Sequence, residues 1–383
     1  MARAAGGGRG TPKGVGGGQD AERRRLAEAD GGGPAWRLWG PYVSERAWAS
    51  VREDYSASGD AWSAFPHEHA RSRAYRWNED GLAAVCDERQ RLCLGLALWN
   101  GRDPILKERP FGLGGPEGNH GEDVKDYWWY LDSTPTHSWM SWRYHYPQAE
   151  FPYTDLAAEN RRRSRTDPEY ELIDTGVFDE DRYWQVTVDY AKAAPGDLLM
   201  RVRVRNMGPE QATLHVLPTL WFRNTWTWQP GSAKPVLSVD GKTVVAEHAD
   251  LGRYMLSFGG DAEPVFCDNE TNFVRLYGGA NTTPFPKDGI NDHVVSGAAS
   301  VNPNRTGTSR GRCGRTTVWC FHPVSGPCWT RATPCVVCRR SATQPGSAKS
   351  RFTPCATRAR HSCLRKASIP GSSWRPSATQ ASR

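Results

Sequence analysis

From residue 184 to residue 204 the chain twice alternates apolar and polar side chains. Trp184, Val186, Val188 and Tyr190 are spaced by Gln185, Thr187 and Asp189, and Met200, Val202 and Val204 by Arg201 and Arg203. A period of two predicts strands with one buried and one wetted face. Ala194-Pro195-Gly196-Asp197 predicts the turn between them, and Asn206-Met207-Gly208-Pro209 a second turn before a strand in TLHVLPTLWFRN. Upstream, LAAVC and RLCLGLALW flank the polar Asp87-Glu88-Arg89-Gln90, a hairpin signature. Downstream, LSV and TVVAEH flank Asp240-Gly241, a strong two-residue turn, and YMLSF and NFVRLYG predict two further strands. Helical patterning is confined to short pieces, one over Ser44 to Arg52 and one, helix or charged turn, over Leu156 to Thr166. Short strands joined by frequent turns predict a mainly β protein, an antiparallel β-sandwich.

The stretch Glu108 to Tyr153 departs from this pattern and carries the candidate chemistry. It opens with Gly112, Gly114, Gly115, Gly118 and Gly121, a backbone free to take positive φ. Asn119, His120, Glu122, Asp123 and Asp126 follow, then Trp128, Trp129, Tyr130 and Asp132. Indoles offer a face to the C–H side of a sugar ring, and carboxylates accept from its hydroxyls. His120, Glu122, Asp123, Asp126, Trp128, Trp129 and Asp132 are therefore the candidates for facing substrate or a neighbouring domain. Aromatics that simply plug a sheet edge are the competing explanation. His67-Glu68-His69 resembles metal-ligand spacing, but neighbours on a strand point to opposite faces and no four-ligand constellation accompanies them. No metal or cofactor is expected.

Charge divides the 383 residues into unlike pieces. From His293 onward there is no Asp or Glu, against 15 Lys and Arg, so the preceding residues hold 34 basic and 42 acidic groups, a net of −8. Seven of the ten cysteines fall between Cys313 and Cys363, and only Cys86, Cys93 and Cys267 precede them. Cys335 and Cys338 have zinc-like spacing but no matching second pair. Arg, Pro, Ser, Ala and Cys dominate the tail, the bias that shifted-frame translation of a GC-rich gene produces. Residues 307–383 are thus expected to be an out-of-frame, disordered tail rather than a nucleic-acid arm. Residues 1–35 are low in complexity and expected to be a disordered Gly/Arg-rich extension, leaving 36–306 as the sandwich. The beginning of the chain has no apolar leader segment and nowhere is there a membrane-length apolar run, so a cytoplasmic protein without membrane partners is expected.

Several blocks, among them FPHEHARSRAYRWNEDGL, ALWNGRDPILKERPFGLGGPEGNHGEDVKDYWWYLDSTPTHSWM, YPQAEFPY and HVLPTLWFRNTWTW, resemble the N-terminal part of glycoside hydrolase family 63. The relatives in question are cytosolic and glucosidase-like. The similarity runs from about Trp36 to Thr306. It implies a β-sandwich followed in the full-length relatives by an (α/α)6 barrel, where an Asp general acid and a Glu general base invert an α-glucosidic bond. The barrel has no counterpart in this chain, so no catalytic residue carries over. The expected function is that of a glycosidase sandwich domain, inactive alone, with oligosaccharide and the barrel as its partners. The alternative is a non-catalytic carbohydrate-binding sandwich.

Overall fold

The computed structural model describes residues 20–41, 65–76, 81–114, 117–121, 123–228, 231–241, 243–259, 262–303, 317–326, 331–332 and 335–340. Two antiparallel sheets dominate, as the alternation predicts. The first runs β1 (Trp39–Pro41), β2 (Leu82–Asp87), β3 (Leu92–Trp99), β10 (Ala212–Phe222), β15 (Thr317–Gly326), β14 (Glu263–Cys267). The second runs β11 (Val236–Asp240), β12 (Thr243–His248), β13 (Gly252–Phe258), β17 (Cys335–Arg340), β9 (Asp197–Asn206), β8 (Tyr183–Ala194), β7 (Trp139–Pro147), β6 (Tyr127–Ser133), with β16 (Arg331–Ala332) also on β9. A small ribbon pairs β4 (Gly112–Leu113) with β5 (Asp123–Val124).

The inner faces form one continuous core. Trp184, Val186, Val188 and Tyr190 on β8, with Met200, Val202 and Val204 on β9, meet Leu94, Leu96, Leu98, Leu214, Val216 and Leu220 of the other sheet. Aromatic bulk at the centre needs glycine opposite it. A Cβ on Gly95 would lie 3.0 Å from the Trp221 ring and one on Gly81 2.9 Å from it, so these two positions make room for the indole.

Three sequence expectations are corrected. The sandwich does not stop at residue 306: β15 pairs β10 and β14, and β17 sits between β13 and β9, so strands up to residue 340 complete both sheets. TVWCF and CVVC are short continuous apolar runs, which a strand flanked on both sides can show without alternation. The extension is ordered from residue 20: α1 (Ala21–Asp30) is capped by Asp20, whose side chain accepts from the Glu22 N–H. Glu22 in turn accepts from Thr136 and Ser138, and Glu28 from the Trp36 indole at 2.7 Å. NFVRLYG is no strand but the short helix α4 (Phe273–Tyr277). Asn272 caps its start and Gly278, in the left-handed region, its end, and these local signals outweigh β propensity. The helix expected over Ser44 to Arg52 lies outside the described residues, as do residues 1–19 and 341–383.

Candidate functional site

The expected site residues do not converge. Successive side chains on β6 point to opposite faces. Trp128 turns inward onto Trp142, with ring centroids 6.2 Å apart, while Trp129 turns outward, 42% exposed, its ring edge-to-face with His145 at 4.7 Å. Asp132 is exposed at the strand end and accepts from the Ser133 N–H. His120 is also exposed, its Nε2 donating to the Asp167 carbonyl at 2.8 Å, and with Asn119 it pins its loop to the segment after the helix α3 (Tyr153–Arg162). Glu122 lies outside the described residues. Asp126 faces no solvent: it is paired with Lys107 at 3.0 Å, both side chains 0% exposed, and accepts from Tyr144 Oη at 2.5 Å and the Phe111 N–H. A substrate-facing role for Asp126 and Trp128 is therefore corrected to a structural one.

Asp123 belongs to a different cluster. Its carboxylate, with Glu169 and Glu171, forms the one acidic group of metal-site geometry among the described residues. The position is already filled by a cation. Lys125 Nζ contacts Asp123 and lies 3.1 Å from Glu169 and 3.4 Å from Glu171. Burial and the neighbouring Glu169 push the Asp123 carboxyl up, whereas a hydrogen bond from Asp123 holds Glu169 down at about 2. The Lys125 ammonium thus offsets part of the negative charge of the three carboxyls. Replacing Lys125 with Met is expected to cost on the order of 1–3 kcal/mol at neutral pH, the range for stranded polar groups. Repulsion would raise the folded-state pKa values of the remaining carboxyls above their unfolded values. The lost stability should therefore return as pH falls, which urea melts at pH 7 and pH 4.5 would register.

A cleft of about 560 Å³ does form where the HEH triplet meets the end of the aromatic stretch. His67 and Glu68 sit on α2 (His67–Ala70), a single turn starting after Pro66, not on a strand. Phe151 is anchored by its N–H donating to Asp103 at 2.6 Å, and Pro152 then starts α3 at Tyr153. The rings form a compact cluster: Phe151 and Tyr153 are 4.6 Å apart, Phe111 and Tyr153 5.0 Å, and His67 lies 4.9 Å from Tyr153 and 5.1 Å from Phe111. Beneath them Lys107 Nζ lies 3.9 Å from the Phe151 centroid, a cation–π contact.

Electrostatics in the cleft follow from burial. His67 is held well below the usual imidazole range by desolvation, then by Lys107 and Arg109, so it is neutral at physiological pH. The Tyr153 phenol is driven well up by burial and by Asp103, Asp126 and Glu150, and its hydroxyl has no hydrogen-bond partner among the described residues. Exposed carboxylates of Glu68, Glu150 and Asp155 stand at the rim with Arg71. The result is a cluster of tilted and edge-on rings under the cleft, partly exposed only at Tyr153 and framed by acceptors. Such a site offers apolar ring surface beside hydrogen-bond acceptors. His67 and Tyr153 are 86 residues apart, so no local pattern could have joined them; YPQAEFPY was within reach as an aromatic pair ending at a helix start.

No family model matches the chain. It is 40% identical over 325 residues to the uncharacterized protein YMR196W of Saccharomyces cerevisiae, covering 75% of this chain and 30% of that one. The chain thus spans less than a third of the length of this curated relative. Among solved structures, a putative aldose 1-epimerase from Escherichia coli K12 overlaps 55% of this chain and 67% of its own, at 8% identity and a TM-score of 0.24. The Slr1438 protein from Synechocystis sp. PCC 6803 overlaps 67% and 86%, at 8% identity and a TM-score of 0.29. Superpositions this loose carry no functional argument.

Proposed function

We propose that this chain is a sugar-binding β-sandwich of a longer glycoside hydrolase acting on α-glucosidic bonds, and that the cleft at Phe111, Phe151 and Tyr153 holds part of the oligosaccharide. The observation that carries the reading is that a cluster of close-packed aromatic rings, a buried phenol without an acceptor and three rim carboxylates converge in one cleft. Hydrolysis belongs, in this reading, to sequence that the longer relatives possess and this chain does not share. The resemblance to glycoside hydrolase family 63 supports it. Sugar and a catalytic barrel are the proposed partners; among the described residues no helix is long and apolar enough to cross a membrane.

Calorimetric titration of the full chain with maltose is the test. Weak, saturable binding is expected. Glu150→Gln should weaken it roughly 10-fold or more, since hydrogen bonds to charged groups contribute about 1.5–3 kcal/mol. Glu150 is exposed, so folding is spared. Tyr153→Phe, which removes only the hydroxyl, should weaken it by a smaller factor. Affinity unchanged in both variants would sink the reading, as would no binding at all.

A further inference from the structure

A second, larger cleft lies at one end of the sandwich beside the ring-lined one, Ala149 lining the one and Glu150 the other. It is an open cleft of about 650 Å³ lined by Arg102, the loop of Asp179 and Glu180, Arg182, Glu210, and Trp184 at the end of the core. Trp184 is 2% exposed, and its indole N–H is buried with no acceptor among the described residues. A buried donor left unpaired costs free energy unless something accepts from it. The loop that lines the cleft is strained. Glu180 and Asp181 both hold φ at +56°, the left-handed region that non-glycine residues rarely enter and that clusters at binding sites.

The charges at the mouth select the ligand. Arg182 is clamped between Glu180, at 2.7 Å, and Glu210, at 3.3 Å. The Asp179 carboxylate and the Arg102 guanidinium have no partner among the described residues. An anionic ligand would meet three carboxylates and a cationic one two guanidiniums. A neutral polyhydroxyl compound meets neither penalty, because each hydroxyl both donates and accepts. We propose that this cleft is a second binding site for a neutral mono- or disaccharide. Trp184 Nε1 and Arg102 are the donors to its oxygens, and Asp179 is an acceptor from its hydroxyls. The proposal goes beyond the reading of the ring-lined cleft and does not depend on it.

Indole N–H resonances of the full chain, titrated with maltose, test it. The Trp184 signal is assigned by its disappearance in Trp184→Phe. It is expected to shift saturably, and to do so equally in Glu150→Gln and Tyr153→Phe, whose lesions lie in the other cleft. Asp179→Ala, at an exposed position that should not disturb folding, is expected to weaken the shift roughly 10-fold, and glucose 6-phosphate to bind more weakly than maltose. A Trp184 resonance unmoved up to the solubility limit of maltose overturns the proposal. So does a shift that Asp179→Ala leaves unchanged, or one that vanishes together with binding in the Glu150→Gln protein.

Discussion

Replacing Asp126 with alanine is expected to destabilise the fold by roughly 3–5 kcal/mol, the range for breaking a fully buried ion pair from one side. The Lys107 ammonium, 0% exposed, would be stranded without its carboxylate. The Phe111 N–H and the Tyr144 hydroxyl would lose the same acceptor. Set against a typical domain stability of about 5–15 kcal/mol, this is a large fraction. The damage would also reach the cleft, because Lys107 lies under Phe151 and Tyr153 and Phe111 belongs to the same ring cluster. Urea unfolding followed by Trp fluorescence would measure it. Asp126→Ala combined with Lys107→Met should recover part of the loss, since the stranded charge is then removed. A double variant no more stable than the single one would show that the loss comes from packing and not from charge.

The second large effect concerns pH. Lys192 is 4% exposed and donates to the carbonyls of Trp36 at 2.6 Å, Thr136 at 3.2 Å and Trp39, fastening the N-terminal segment to the second sheet. Burial lowers its pKa to about 7 from 10.5, with Glu22 pulling the other way. A folded-state pKa below the unfolded one means that, between those values, the unfolded chain binds the extra proton. Stability from this group therefore rises with pH above 7. Cys93 and Cys267, whose thiols burial pushes well up, contribute the opposite slope once unfolded thiols ionise near pH 9. Comparison with Lys192→Met cancels that contribution. The wild-type chain is expected to gain roughly 2–3 kcal/mol on the variant between pH 7 and pH 9, at up to about 1.4 kcal/mol per pH unit. Parallel stability curves would refute the assignment.

What the sequence disclosed and what it hid divide along physical lines. The alternation at Trp184–Tyr190 and Met200–Val204 predicted β8 and β9, and Asp240-Gly241 the turn between β11 and β12, because period and turn chemistry are local properties. The strands after residue 306 were missed because a short apolar run carries no period to read. The site residues were misjudged for a related reason. Composition gathered Asp126, Trp128, Trp129 and Asp132 into one surface, but the strand pleat separates Trp128 from Trp129, and burial with Lys107 removes Asp126 from solvent. Carboxylates paired with a buried lysine look no different in sequence from carboxylates awaiting a sugar. His67 meets Tyr153 only through the tertiary fold, so the cleft could not be read from either segment alone.

The most direct test of the account is a structure of the full chain with maltose bound. A glucose unit is expected with its C–H face against Tyr153 and hydroxyls within hydrogen-bonding distance of Glu150 or Glu68. Saturating maltose with that ring cluster left bare, and sugar instead against the outward-facing Trp129 or nowhere on the chain, would contradict it.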